Sequence, residues 1–364
     1  MLLYTLRRRI KKNIKSTYNY YWVIRNTKKI KPGDKIIYVD VTGIAWNRYL
    51  YSFLKFFDLQ GYTVFLPKNR ELIDYLCIKE GEFRFSSWIL DDNFVKFGNP
   101  PANEKVIYIE KNQLSNDYFL SFVHNHFEVF EYHIPISEFP LVYHRLNWKI
   151  EIPAIKKRKR SFFMAGNLDK NLYNRIEKTG NFKIPSRVTI SGFLKKQKYY
   201  KAICSLKFLE DFIEAEIDNK VIIIDTSKEF SIELEKLKTI LSKFDFFLAL
   251  PGIIVPQCHN IIEAMSAGCI PILHSCYAKL LVPNLEQGVN ALIYNDLDEL
   301  NELILNSFLL TEKEVLKLRL NCINYYRMNL TPLQVVTNIE KYKFSKIYIQ
   351  AEHLSLKGIS KPLS

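Results

Sequence analysis

Residues 244–275 (FDFFLALPGIIVPQCHNIIEAMSAGCIPILHS) have the types and spacing that could do chemistry. An apolar strand leads into a Pro-Gly turn, and a short helix is predicted to begin near His259 or Asn260. A helix start attracts anions through its free amides and its dipole, and Gly252 lets a ligand approach the backbone closely. Glu263, in the first turn, could accept hydrogen bonds from a ribose diol. The pattern indicates an anion site beside a site for sugar hydroxyls.

A purely structural interpretation of these residues stays open. Asn260 and Glu263 are three residues apart, which is the spacing of a helix-capping pair, and Gly268 could simply end the helix. Spacing alone favours this capping interpretation.

The surrounding chain must supply the elements that position these residues. From Lys35 onward, short β-rich runs alternate with helical periods, which is typical of a parallel α/β architecture. The predicted strands are residues 35–40, 63–66, 88–90, 106–109, 161–164, 188–190, 221–224, 245–250, 270–273 and 291–294. The predicted helices are residues 46–57, 70–77, 170–178, 232–241, 260–267 and 297–309, and two more begin at Thr311 and Thr331.

This order predicts two Rossmann-like domains that face each other across a cleft, with ligands bound at the carboxyl ends of the strands. We divide the chain into a basic N-terminal segment (1–31), a first domain (32–155), a second domain (156–330) and a C-terminal helix and tail (331–364) that returns to the first domain. Periodicity lapses over residues 156–160, which we interpret as a solvated linker between the domains.

Two motifs carry a resemblance to a known family. The strand, the Pro-Gly turn, the loop and residues 263–273 (EAMSAGCIPIL) resemble the donor-binding region of glycosyltransferases with the GT-B fold. The resemblance is strongest to the exostosin-like branch and to bacterial polysaccharide-biosynthesis enzymes. Residues 162–167 (FFMAGN) are similar to the first strand and turn of the donor domain in bacterial members. The resemblance covers about residues 130–300, so the second domain would be the donor domain and the first the acceptor-side domain.

The resemblance implies a sugar transferase that uses a nucleotide-sugar donor. Glu263 would contact the ribose, while the amides of Gly252 and of the residues that open the next helix, His259 and Asn260, would face the diphosphate. The opposite wall would be lined by Gly166 and Asn167. The acceptor would be a surface polysaccharide, such as a capsule or lipopolysaccharide, or a lipid-linked glycan.

Two departures from the family pattern refine this expectation. Retaining members carry a second Glu eight residues before the ribose Glu, and this chain has Val255 there, so we expect an inverting reaction. The Arg that exostosin-like members carry three residues before that Glu is Asn260 here. A non-catalytic protein that binds a glycan or a partner enzyme, or a nucleotide-sugar epimerase of the same fold, remains an alternative.

Cationic help for a diphosphate leaving group is needed when no metal is present. The candidates are Arg175, Lys195 and Arg187. Lys195 follows the predicted strand 188–190 at its carboxyl end, on the ligand side, whereas Arg187 would lie at the base of the sheet. Each could equally be an ordinary solvated charge.

An inverting transfer also needs a general base near the acceptor hydroxyl group. Asp40 ends the first predicted strand and is the leading candidate, against the alternative that it only caps the next turn. A second candidate is a histidine-rich cluster, in which His126 and Glu128 are the proposed catalytic residues. Alternation would place its first members on one face of a strand, and metal ligation is a further alternative. The cluster consists of His124, His126, Glu128, Glu131 and His133.

No metal or other cofactor is expected. In the D-x-D pair of Asp296 and Asp298, Asp296 precedes the predicted helix 297–309 and has Glu299 three residues later, so we interpret the pair as an N-cap and a first-turn acid. The six cysteines lack metal-ligand spacing, which favours reduced thiols in a cytoplasmic protein.

The charge of the chain is concentrated in two short segments. The 364 residues contain 52 Lys and Arg against 38 Asp and Glu, a net charge of +14. Residues 1–31 hold ten basic side chains and no acid, and residues 156–160 hold five more; removing those 15 leaves 37 basic against 38 acidic groups. This argues against a general nucleic-acid binder, which spreads its basic residues over a folded face. The basic and aromatic leader instead suits an anionic membrane surface, which predicts a peripheral location on the inner face of the plasma membrane.

Overall fold

The structure is a computed structural model that describes residues 2–27, 35–45, 47–79, 81, 84–102, 105–124, 130–149, 157–359 and 362–363. The chain divides into two compact units. The first comprises residues 1–118, 128–134 and 332–355, and the second comprises residues 119–127, 135–331 and 356–364.

The helices and strands follow in chain order. Those before residue 150 are α1 (Leu2–Asn26), β1 (Lys35–Val39), α2 (Arg48–Leu59), β2 (Tyr62–Leu66), α3 (Arg70–Leu76), α4 (Arg84–Asp91), β3 (Val95–Phe97), β4 (Val106–Ile109), β5 (Leu114–Ser115), α5 (Leu120–His124), β6 (Glu131–His133) and α6 (Pro140–His144). The later ones are β7 (Lys159–Gly166), α7 (Lys170–Tyr173), α8 (Arg175–Thr179), α9 (Arg187–Leu194), α10 (Leu206–Glu214), β8 (Val221–Asp225), α11 (Leu234–Leu241), β9 (Phe244–Leu248), α12 (His259–Ser266), β10 (Ile270–His274), α13 (Ser275–Ala278), β11 (Leu292–Tyr294), α14 (Leu297–Phe308), α15 (Glu312–Asn329), α16 (Pro332–Lys341) and β12 (Lys346–Tyr348).

The first unit contains two parallel sheets. One has the strand order β3-β2-β1-β4, and the other has the order β5-β12-β6. Helix α2 begins where the Asn47 side chain accepts hydrogen bonds from two backbone amides, and it buries an aromatic stripe that includes Phe53 and Phe57. Because β12 lies between β5 and β6, residues near the carboxyl terminus complete the second sheet.

The second unit is built on one parallel five-stranded sheet in the order β8-β7-β9-β10-β11. Strands β7, β8, β9 and β10 are apolar along most of their length because both faces are covered, and Phe162 stacks on Phe246 with ring centres 4.6 Å apart. The strand order reverses between β7 and β9, and ligands of such sheets bind outside the carboxyl ends of the strands at that point. The predicted α/β class with parallel sheets is confirmed.

Two predicted strands are wrong. Residues 88–90 belong to α4, where Phe85, Trp88 and Ile89 follow helical spacing and Trp88 packs edge-on against Phe85 at 5.2 Å. Residues 188–190 belong to α9, which starts because the Ser186 hydroxyl accepts a hydrogen bond from the amide of Thr189. That cap outweighs the strand preference of the β-branched run.

The predicted solvated linker is also wrong over its described part. Strand β7 already begins at Lys159, and Arg158 and Arg160 are buried, 7% and 8% exposed. The Arg160 guanidinium donates to Asp245 at 2.9 Å and to Glu312 at 2.7 Å, and Arg319 also pairs with Asp245. Arg160 therefore anchors the start of β7, because Asp245 and Glu312 neutralise its charge within the second unit.

Candidate functional site

The carboxyl ends of β7 and β9 flank the point where the second sheet reverses its strand order. Strand β7 ends at Gly166, where a Cβ atom would come within 2.9 Å of the Met164 side chain and 3.2 Å of the Arg187 guanidinium. Asn167 follows, and its side chain accepts a hydrogen bond from the amide of Asp169 at 2.7 Å, which turns the chain into α7. The sequence therefore places glycine where a side chain has no room.

Arg187 joins the loops that follow these two strands. Its guanidinium donates to the carbonyl groups of Pro251 at 3.0 Å and Asn167 at 3.2 Å, and also reaches that of Leu250 at 3.4 Å. The side chain is 2% exposed. The expectation that Arg187 lies at the base of the sheet is wrong, because residues 187–194 form a helix and not a strand, which brings the side chain to the carboxyl edge.

The loop after β9 forms a closed turn. The amide of Gly252 donates to the carbonyl of Pro256 at 3.0 Å, so this amide is already engaged within the loop. A Cβ atom at residue 252 would lie 2.6 Å from the carbonyl oxygen of Val255, which leaves space for no residue except glycine. The nearby Gln257 side chain donates to the Leu280 carbonyl at 2.7 Å and holds the end of the loop.

Helix α12 begins at the end of this loop. Cys258 is its N-cap residue, and the amide of Cys258 donates to the Tyr277 hydroxyl at 2.7 Å. In any α-helix, the backbone amides of the first turn have no hydrogen-bond partner within the helix and point beyond its N-terminal end. Asn260 is 7% exposed, and its buried side-chain oxygen has no hydrogen-bond partner within the described part of the chain. The helix start thus supplies amide donors and one unsatisfied acceptor.

Glu263 is not the capping partner of Asn260, so that part of the capping interpretation is wrong, whereas Gly268 ends α12 with a φ of 75°, as that interpretation expects. Its carboxylate accepts a hydrogen bond from the amide of Phe139 at 3.1 Å and lies 2.9 Å from His259 Nδ1. The His259 ring packs on the Phe139 ring at 5.0 Å. With Glu263 only 5% exposed, its carboxylate is held in one place by two neighbours.

Glu138 is a buried carboxyl group that the sequence reasoning missed. It lines a small recess together with Glu263, Lys238 and Ser266. Burial raises its pKa to about 7, while Lys238 and the hydrogen bond from Tyr326, 2.7 Å long, act in the opposite direction. The local sequence gave no signal, because a single Glu after a Pro-rich stretch looks like an ordinary surface residue.

The two remaining cation candidates are exposed. Arg175 begins α8, and Lys195 is the C-cap residue of α9, 5.9 Å from the Tyr200 ring centre. The placement of Lys195 at the carboxyl end of a strand is wrong, because residues 188–190 are helical.

In the first unit, Asp40 follows β1 directly. Its amide donates to the Ile109 carbonyl at 2.9 Å, and its carboxylate accepts a hydrogen bond from the amide of Thr42 at 3.0 Å. Asp40 therefore caps the turn, as the alternative interpretation expects. It also lies at the carboxyl edge between β1 and β4, where the strand order of the first sheet reverses.

The histidine-rich cluster does not form the predicted strand face. His126 and Glu128 lie outside the described residues, and His124 ends helix α5. His133 is buried between Tyr348, stacked at 4.5 Å, and Tyr118, edge-on at 5.1 Å, and burial lowers its pKa to about 4. His133 is therefore a neutral packing residue.

Among the residues that the structure describes, no group of three or more His, Cys, Asp or Glu side chains could hold a metal ion. Asp296 of the D-x-D pair accepts a hydrogen bond from the amide of Glu299 at 2.9 Å and is the N-cap of α14, as predicted.

No protein-family model and no curated protein matches the chain. Among solved structures, it is similar to Anabaena HepE in complex with UDP (10% identity, TM-score 0.40, 84% of this chain and 98% of that chain). It is also similar to a glycosyltransferase from Rickettsia africae (12% identity, TM-score 0.39, 90% of this chain and 100% of that chain). A third similar structure is WaaG, a glycosyltransferase involved in lipopolysaccharide biosynthesis (10% identity, TM-score 0.33, 84% of this chain and 100% of that chain). At these scores the likenesses assign no activity to this chain.

Proposed function

We propose that the chain is a glycosyltransferase that moves a sugar from a nucleotide-sugar donor to a surface-polysaccharide or lipid-linked glycan acceptor. The observation that carries this proposal is the arrangement at the carboxyl edge of the second sheet. There the tight turn at Gly252 leads to the start of α12, and a buried, fixed carboxylate, Glu263, lies one turn into that helix.

Each group in this arrangement suits one part of the donor. Glu263 would accept hydrogen bonds from the ribose hydroxyl groups, since its carboxylate is already oriented by the Phe139 amide and His259. The first-turn amides of α12 would bind the diphosphate through hydrogen bonds and the helix dipole. The unsatisfied oxygen of Asn260 would accept a hydrogen bond from the ligand. Arg187 would hold the loops of Asn167 and Pro251 in the shape that receives the donor.

The reaction that we propose is inverting and does not depend on a metal. Val255 at the position of the retaining Glu supports the stereochemistry, and Asp40 at the carboxyl edge of the first sheet is the proposed general base. A carboxylate that accepts the proton of the acceptor hydroxyl group as the new bond forms would be sufficient for a single displacement.

The donor assignment is tested by thermal denaturation in the presence of UDP, GDP or CMP and their sugar conjugates. We expect one nucleotide to raise the midpoint temperature of thermal unfolding of the wild type. Glu263→Gln should bind that nucleotide roughly 10-fold to 100-fold more weakly, because a hydrogen bond to a charged group is lost. The amide oxygen of Gln can still accept from Phe139, so the unliganded variant should remain folded.

The matched control is Glu302→Gln, which makes the same substitution at an exposed position of α14. Its response to nucleotide should equal that of the wild type. The donor assignment fails if no nucleotide protects the wild type, or if both variants are protected equally.

A further inference from the structure

Helix α1 is docked on the first unit by one face. The Ser16 hydroxyl pairs with Asp74 and accepts a hydrogen bond from Arg70 at 2.8 Å, and Arg70 also donates to the Asn13 carbonyl at 3.0 Å. Two turns later Val23 is 1% exposed. These contacts attach α1 to α3 and define its inner face.

The outer face of α1 carries an apolar stripe. Ile10, Ile14, Tyr18, Tyr21 and Trp22 are 49%, 64%, 67%, 68% and 49% exposed. Spacings of three and four residues align these side chains along a helix. Ile14 precedes the buried Ser16 by two residues, as Tyr21 precedes Val23, and two residues turn an α-helix by about 200°. These residues therefore point away from the body of the first unit, except that Trp22, at the edge of the stripe, lines a groove with Ile89 and Leu90.

Exposed basic side chains lie on the same helix, along one side of this stripe. Lys11, Lys12, Lys15 and Arg25 are exposed on the same helix, and the sequence of α1 contains no acidic residue. A protein partner that covered the stripe would have to be strongly acidic as well as apolar at its centre. An anionic bilayer offers both properties together, because its headgroups attract Lys and Arg while its acyl boundary accepts aromatic and aliphatic side chains.

We propose that this face of α1 binds the surface of an anionic lipid bilayer, with the helix lying in the interface plane. Among the described residues, no helix is long and apolar enough to cross a membrane. The inference does not rest on sugar transfer, because it uses contacts and charges of α1 alone.

Vesicle flotation of the full chain tests the proposal. The probes are vesicles of phosphatidylcholine alone and of phosphatidylcholine mixed with phosphatidylglycerol. We expect the wild type to float with the anionic vesicles and to be released by high salt. The double variant Ile14→Glu, Tyr18→Glu should partition about tenfold more weakly, since it places charge in the stripe.

The matched control is Leu305→Glu, Leu309→Glu, which changes the charge equally at exposed apolar positions of the second unit, 45% and 81% exposed. It should float like the wild type. Circular dichroism of all three proteins establishes that the stripe variant is folded without any use of nucleotide, so a failure here is distinct from a failure of the donor assignment.

A second readout does not require the charged variant. The fluorescence of Trp22, measured as the difference between the wild type and Trp22→Phe, should shift to shorter wavelength with anionic vesicles. The proposal is overturned if the wild type does not float, if it binds neutral vesicles equally well, or if the stripe variant floats like the control. Concentration-dependent dimerisation that is lost in the stripe variant would also overturn it, since a second copy would then cover the stripe.

Discussion

Glu138, the buried carboxyl group in the recess beside Glu263, should make the stability of the fold depend on pH. Burial raises its pKa to about 7, whereas a Glu in an unfolded chain titrates near about 4.3. Between these values the folded state keeps a proton that the unfolded state has lost. Stability therefore falls as the pH rises from about 4.5 to about 7, and this contribution stays constant above that range.

Glu138→Gln should remove this pH dependence while keeping the oxygen that accepts from Tyr326. Urea unfolding at pH 4.5 and pH 8 measures the pH dependence of the free energy of unfolding. Between these two pH values, we expect the free energy of unfolding of the wild type to fall by on the order of 3 kcal/mol relative to that of Glu138→Gln. Glu302→Gln should follow the wild type. Parallel stability curves for the wild type and Glu138→Gln would contradict the protonation of Glu138 near neutral pH.

At the level of single residues, the sequence predicted the parts of the candidate site whose residues are close together along the chain. The Pro-Gly turn, the start of α12 and Glu263 are all within one stretch, so their proximity follows from the chain itself. Arg187 and Glu138 act through groups distant in sequence, since the Arg187 guanidinium binds carbonyl groups more than 60 residues away. An isolated Arg or Glu gives no sign of such partners.

Arg187 also determines how two elements are held together, because it bridges the loops after β7 and β9. Arg187→Lys keeps a positive charge but cannot donate to three carbonyl groups in the same geometry. We expect it to lower the free energy of unfolding by roughly 2–4 kcal/mol, since buried carbonyl groups lose their donors. The same variant should weaken nucleotide binding.

The control for this prediction is Arg175→Lys at the exposed start of α8, which should change the free energy of unfolding by less than about 0.5 kcal/mol. Urea unfolding of the three proteins decides between the outcomes. Equal stability of Arg187→Lys and Arg175→Lys would show that Arg187 does not clamp the loops.

At the level of elements, buried strands and helices with an acidic N-cap were predictable from the sequence. A helix that begins with a run of β-branched residues was not. Strand β4 and helix α14 were predicted to within one residue, because a continuous apolar run and an acidic N-cap are strong local signals. Helix α9 was predicted as a strand from its Val-Thr-Ile run. The Ser186 cap and the burial of one helix face decide its conformation; the cap is a local signal that the sequence reasoning missed, whereas the burial depends on tertiary contacts.

For the whole molecule, the position of charge along the chain is more informative than its total. The two basic segments have different environments. Arg158 and Arg160 are buried within the second unit, where Arg160 pairs with Asp245, whereas the described lysines of α1 are exposed. Sequence alone could not separate these cases, because ion pairs such as that of Arg160 with Asp245 join residues 85 positions apart. The membrane proposal therefore concerns α1 alone.

Acceptor-dependent release of nucleoside diphosphate from a panel of nucleotide sugars tests the proposed transfer most directly, with a crude lipid-linked glycan fraction as acceptor. We expect the wild type to turn over one donor. Asp40→Asn should keep the donor KM and lower kcat by roughly 10²-fold to 10⁴-fold, because its amide still accepts from Thr42 but cannot take a proton. Glu263→Gln should raise the donor KM. Conversion of one nucleotide sugar to its epimer without acceptor, or no release from any donor, would contradict the proposal.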